Sequence, residues 1–192
     1  ATFKYSVRLW IKPLAPTKPC RRPWTALARP CVVLEEQRLD SKTHDCAAFN
    51  CGTPELNDYL TRRATQDRRR NLTQVYVLVD TDTPSQVLGY YTLSAAQVDT
   101  EQISEQERRR LPRYPIPCFR MGRFAVRQDI QGQGLGKRLL GCAVDRCLQV
   151  RHEVGAYALI VDAKDADAKL FEHFGFVPFP VLPLSLFLVM GM

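Results

Sequence analysis

Arg123-Phe124-Ala125-Val126 is followed shortly by Gln131-Gly132-Gln133-Gly134-Leu135-Gly136-Lys137, and then by Leu139, Leu140, Ala143, Val144, Cys147 and Leu148 recurring in threes and fours. The spacing predicts a strand over 118–126, a glycine loop, and an amphipathic helix from Gly134 to about Gly155. At the start of such a helix, backbone N–H groups point outward and favour an anion. Two common phosphate loops do not fit. A P-loop needs glycine where Gln131 stands and Ser or Thr where Arg138 stands, and the dinucleotide fingerprint needs glycine where Lys137 stands.

Upstream, Cys31 to Leu34 is strand-like and Leu39 to Phe49 is expected to form a short helix before a turn at Cys51-Gly52. Thr53 and Pro54 open a helix whose apolar stripe is Leu56, Tyr59, Leu60 and Ala64 and whose end is Arg68-Arg69-Arg70. Val75–Val79 and Val87–Leu93, separated by Asp80 to Ser85, predict a hairpin. Ser104 with Glu107 is a capping box for a short helix ending at Arg108-Arg109-Arg110, before a loop with Pro112, Pro115 and Pro117. Downstream come a strand at Ala156–Val161, a helix at Ala163–His173, and closing strands at Phe176 and Leu186–Met190. This order predicts an α/β (α+β) domain with a mixed central sheet flanked by helices.

The chain has 192 residues, 45 % hydrophobic and 24 % charged, enough apolar material for one globular core. Its net charge is +7, but residues 1–33 hold Lys4, Arg8, Lys12, Lys18, Arg21, Arg22 and Arg29 and no acid, so the remainder is balanced. Residues 1–30 also carry five of the 13 prolines, and we expect them to be a basic extension outside a domain spanning 31–192. Seven cysteines, an odd number without a CxxC pair, and only three histidines support neither a disulfide framework nor a metal site. Free thiols in the cytoplasm are the expectation. Phe174 to Met192 is uncharged, yet Pro178, Pro180 and Pro183 interrupt it, so no membrane span is expected.

Gln131-x-x-Gly134-x-Gly136 matches the (Arg/Gln)-x-x-Gly-x-(Gly/Ala) loop of the GNAT acetyltransferase superfamily. The strand before it, the helix after it, Val161-Asp162-Ala163-Lys164 and Glu172-His173-Phe174-Gly175-Phe176 are similar to that superfamily in order and spacing. Over roughly residues 31–190 the chain further resembles the GNAT toxins of bacterial type II toxin-antitoxin modules, which acetylate the α-amine of aminoacyl-tRNA. That likeness is carried by Phe49-Asn50-Cys51-Gly52 with Leu56-Asn57-Asp58-Tyr59-Leu60, and by Gly89-Tyr90-Tyr91-Thr92-Leu93-Ser94. Pro115-Ile116-Pro117, Gly122-Arg123-Phe124-Ala125-Val126 and Leu184 to Leu188 complete it.

The resemblance implies a GNAT fold: a mostly antiparallel sheet whose middle strands splay around the pantetheine of acetyl-CoA. The pyrophosphate would rest on Gln131, Gly132, Gln133, Gly134, Leu135, Gly136 and Lys137. Phe124, Ala125 and Val126 would line the thioester, with a backbone N–H near Ala125 polarising its carbonyl. The family's leaving-group acid is a tyrosine in Phe-Tyr-Glu-His-Phe-Gly-Phe; here Leu170-Phe171-Glu172-His173-Phe174-Gly175-Phe176 has none. Either Phe171 replaces it or a residue is deleted after Phe171. The spacing from Val161 favours deletion, so weakened catalysis is expected. Arg62, Arg63, Arg68, Arg69, Arg70, Arg108, Arg109, Arg110 and Arg113 would bind tRNA. Implied partners are aminoacyl-tRNA, a ribbon-helix-helix antitoxin, operator DNA through that antitoxin alone, and a second copy of the chain. Acetylation of a small amine or protein N-terminus, or a non-catalytic binding subunit, are the competing expectations.

Overall fold

The computed structural model describes residues 33–163, 168–180 and 182–191. Its centre is β4 (Ile116–Val126), joined to β5 (Ala158–Asp162) by the long helix α4 (Leu135–Val154). A strand, a covering helix and a parallel strand form the usual right-handed crossover unit. Around this pair, β1 (Leu34–Arg38), β2 (Gln74–Asp80) and β3 (Gly89–Val98) lie on one side, and β7 (Leu182–Val189) then β6 (Val177–Phe179) on the other. Every neighbouring pair is antiparallel except β4 with β5. The edge strand β6 accepts Pro178 because one of its sides carries no ladder.

Two irregularities on β4 open the sheet. Thr92 faces Arg123 and Leu93 faces Met121, so Gly122 is an unpaired bulge residue. A Cβ there would lie 3.4 Å from Thr92 Oγ1. Pairing with β5 stops at Met121–Val161, while β4 runs on to Val126. The middle strands therefore part, as the resemblance implied.

Alternating side chains on each strand build separate cores on the two faces. Tyr91, Leu93, Met121, Leu159, Val161 and Leu186 pack under the α4 stripe Leu139, Leu140, Ala143, Val144 and Cys147. On the opposite face Val75, Val77, Val79, Tyr90 and Ala125 meet Tyr59, Leu60 and Ala64. Those three residues belong to one helical run: α1 (Pro54–Asp58), a π-turn over Tyr59–Arg63, and α2 (Ala64–Arg69). Further along that face, Val98, Ile116, Cys118, Ala158, Ile160, Phe179 and Phe187 enclose Ile103, which precedes α3 (Glu105–Arg108).

Several expectations are corrected. Leu39 to Phe49 forms turns, because Asp40 and Asp45 side chains capture the amides of Lys42, Ala47 and Ala48 that a helix would need. The first strand begins at Leu34; Cys31 and Val32 lie outside the described residues. Ser104 Oγ donates to Glu107 Oε2 at 3.3 Å, so the capping pair satisfies itself and caps no amide through its side chains. Ala163 extends the β5–β7 ladder by donating its N–H to Leu184 O at 2.8 Å, and the described helix, α5, spans Ala168–His173.

Candidate active site

Beyond Val126, a short 3₁₀ turn over Gln128–Ile130 leads to Gly132 and Gly134, whose φ angles are +76° and +85°. Both glycines face open space, and such backbone conformations strain any residue bearing a Cβ. The amides of Gly132 through Lys137 form no hydrogen bond among the described residues, and the first turn of α4 holds no acid. Six consecutive free donors at the positive end of a 20-residue helix suit a diphosphate. Gln131 has a different part. Its own N–H is bonded to Gln128 O, and its Nε2 donates to Val126 O at 2.9 Å and to Cys51 O at 3.0 Å. It ties the end of β4 to the turn before α1, where Asn57 Oδ1 accepts from the Cys51 amide.

Past Met121 one edge of β4 has lost its neighbour, so alternate backbone groups of Gly122–Val126 are released from the ladder. Phe124, Ala125 and Val126 thus line the parting of the strands. Phe124 points to the α4 face and meets Phe171 edge-on at 5.9 Å. Phe171 is 4 % exposed and also contacts Phe176 at 5.6 Å. It reaches the opening as a core ring without any polar atom.

On the opposite face, a polar strip separates the two apolar clusters. It holds Thr92, Arg123, Arg120, Asp162 and Ser185. Arg120 Nη1 lies 2.9 Å from Asp162 Oδ2, and Ser185 Oγ donates to Asp162 Oδ1 at 2.7 Å. Arg123 lies 3.6 Å over the Tyr59 ring. The arginine clusters flank this strip: Arg62, Arg63, Arg68, Arg69 and Arg70 on the α1–α2 side, Arg108, Arg109, Arg110 and Arg113 on the α3 side. Arg62 pairs with Asp58 at 3.9 Å and Arg108 with Glu105 at 4.0 Å, both well exposed, while the others have no ion pair among the described residues. The arginine runs are visible in the sequence, whereas the strip between them is not. Its one signal was Arg120 and Arg123, two charges in a central strand.

Residues 71–178 match the model of the acetyltransferase (GNAT) domain. The chain belongs to the GNAT acetyltransferase family. It is 34 % identical over 154 residues to the tRNA-acetylating toxin of Mycobacterium tuberculosis (strain ATCC 25618 / H37Rv), covering 80 % of this chain and 90 % of the relative. Among solved structures it resembles AtaT complexed with acetyl-methionyl-tRNAfMet, with a TM-score of 0.76 and 27 % identity over 82 % of this chain and 95 % of that one. A Tyr→Phe mutant of AtaT bound to the C-terminus of its antitoxin AtaR and acetyl-CoA gives 0.70 and 28 %, covering 82 % and 93 %. This GNAT chain is accordingly an acetyl-CoA-dependent N-acetyltransferase homologous to the tRNA-acetylating toxins of toxin-antitoxin systems. Its free amide row supplies the donors that a diphosphate requires. Among the described residues no three His, Cys, Asp or Glu side chains gather as metal ligands, and no helix is long and apolar enough to cross a membrane.

Proposed function

We propose that this GNAT toxin moves the acetyl group of acetyl-CoA onto the α-amine of aminoacyl-tRNA in the cytoplasm and so blocks translation. The observation that carries the reading is the pair of arginine clusters flanking one polar strip across the parting of β4 and β5. A polyanion end is drawn to such a strip, whereas a small cationic amine would be repelled from it. The relative that acetylates tRNA and the neighbour complexed with acetylated tRNA support the same acceptor.

The chemistry asks little of the side chains. An α-amine beside an ester titrates below the roughly 7.7–8.0 of a free terminus, so much of it is neutral near pH 7 and no strong general base is required. Its lone pair forms the new C–N bond at the thioester carbon while the C–S electrons pass to sulfur and the amine proton passes to solvent. A released N–H of β4 near Ala125 stabilises charge growing on the carbonyl oxygen. The free amides of Gly132–Lys137 hold the diphosphate. Phe171 donates no proton, so the thiolate leaves unassisted and turnover is slow. An antitoxin segment of acidic character neutralises the toxin by covering the arginine face, and operator DNA is reached only through that antitoxin. Exposed Val177, Leu182 and Leu184 give β6 and β7 an apolar edge for a second copy of the chain.

Incubation with labelled acetyl-CoA and either charged or uncharged tRNA tests the proposal. Label is expected in charged tRNA alone; label in free amino acids or small amines instead would overturn it.

A further inference from the structure

The bulge at Gly122 turns Arg123 toward the α1–α2 face, next to the opening of the sheet. There its guanidinium lies on Tyr59, a 3 % exposed residue of the π-turn, which stacks on Tyr90 at 6.4 Å. Tyr90 is itself held edge-on to Phe49 at 5.4 Å, and its hydroxyl donates to Leu56 O at 2.8 Å. A planar cation on such a platform keeps its N–H edge oriented before a ligand arrives, so little rotamer freedom is lost on binding. The π-turn is what brings the platform here, and such turns recur at functional sites.

Arg123 has no ion-pair partner among the described residues. The groups facing it are Tyr59, with Asp67 beside it, and Tyr90, with Cys51 beside it. Burial pushes the Tyr59 phenol up to about 12 and raises Tyr90 as well, so neither becomes an anion near neutral pH. Farther along the strip, Arg120 and Asp162 satisfy each other. A positive charge without an ion-pair partner among the described residues therefore stands one residue from Phe124, beside the proposed place of the acyl group.

We propose that Arg123 is the acceptor-selecting residue: its guanidinium receives the oxygen-rich aminoacyl-ester end of charged tRNA, and its charge disfavours the protonated form of the adjoining amine. The inference rests on the acceptor named under Proposed function. An aminoacyl ester offers carbonyl, ribose and phosphate oxygens to a guanidinium beside its amine. A lysine side chain or polyamine brings only hydrocarbon and more positive charge, and is rejected.

The test is transfer from acetyl-CoA to charged tRNA by the full chain, Arg123→Gln and Arg123→Lys, at enzyme concentrations suited to slow turnover and across about pH 6 to 9. Arg123→Gln is expected to raise KM for charged tRNA about tenfold or more. It should also move the acidic limb of kcat, which reports the bound amine, upward by about half a unit to one unit. Arg123→Lys keeps the charge, so the limb stays in place while KM rises in part. Both should bind acetyl-CoA like the parent by calorimetry; a variant that does not has lost its fold, and the other then carries the test. A limb unmoved in Arg123→Gln overturns the role of Arg123 alone. A parent chain that transfers nothing to charged tRNA overturns the acceptor and this role with it.

Discussion

Gly134 and Phe171 are the residues at which this chain's chemistry is most exposed to test. At φ +85°, facing open space, Gly134 opens α4 amid six free amides. Gly134→Asp adds backbone strain and a negative charge at the proposed diphosphate site. A loss of about tenfold or more in acetyl-CoA affinity by calorimetry is expected, equivalent to about 1.4 kcal/mol. Gly141, in the middle of α4 with nothing within 4 Å, is the control. Gly141→Ala should leave affinity unchanged and raise stability by about 0.8–1.0 kcal/mol through helix propensity. At Phe171, buried between Phe124 and Phe176, the two alternatives are a deletion after it and a simple replacement of tyrosine. A hydroxyl added to that 4 % exposed ring costs about 1–3 kcal/mol when no partner is present. Phe171→Tyr is therefore expected to destabilise without restoring rate. A tyrosine inserted after Phe171 turns the following residues by about 100° and should raise turnover toward the roughly 10²–10⁴-fold that general-acid assistance supplies. Equal rates in the parent and inserted chains would show that no such hydroxyl is needed.

At the scale of elements, the strand–loop–helix centre was legible because three signals coincide there: an apolar run, glycines, and a clean 3.6-residue period. The turns over Leu39–Phe49 were not, since local Asp side chains competing for amides leave no trace in hydrophobic periodicity. The π-turn was equally silent: Leu56, Tyr59, Leu60 and Ala64 read as one helical stripe whether or not a residue is accommodated there. The sheet's edge is joined to α4 by a contact that pattern reading also cannot see. Arg146 binds Glu36 of β1 while lying 4.3 Å over Tyr76, and Tyr91 donates its hydroxyl to the same carboxylate. The Glu36 and Arg146 side chains are 13 % and 30 % exposed, so neither is freely hydrated. Glu36→Gln should leave a half-buried guanidinium uncompensated and lower stability by about 1–3 kcal/mol. A urea midpoint that falls with an unchanged slope would confirm it; an unchanged midpoint would assign the network no part in holding β1 to α4.

Taken whole, the molecule is proposed to take its two substrates on different faces. The row of free amides leads from the end of β4 into α4, while the arginine flanks and the polar strip occupy the opposite side of the sheet. The flanks were legible as charge runs in an otherwise balanced domain. The floor was not, because Thr92, Asp162 and Ser185 become neighbours only through pairing of β3, β4, β5 and β7. Binding of tRNA should weaken steeply with salt, and replacing Arg68, Arg69 and Arg70 by Glu should flatten that dependence by about one slope unit per lost phosphate contact. Acetyl-CoA affinity should be unaffected; salt-insensitive tRNA binding in the parent would remove the arginines from the acceptor path. The most direct measurement is a crystal structure of the chain with CoA and a short oligonucleotide carrying a non-hydrolysable 3′-aminoacyl group. The diphosphate is expected on the amides of Gly132–Lys137, and the amine is expected to reach the sulfur from the Arg123 side, between the parted ends of β4 and β5. An amine entering from the α4 face, or a diphosphate held elsewhere, would contradict it.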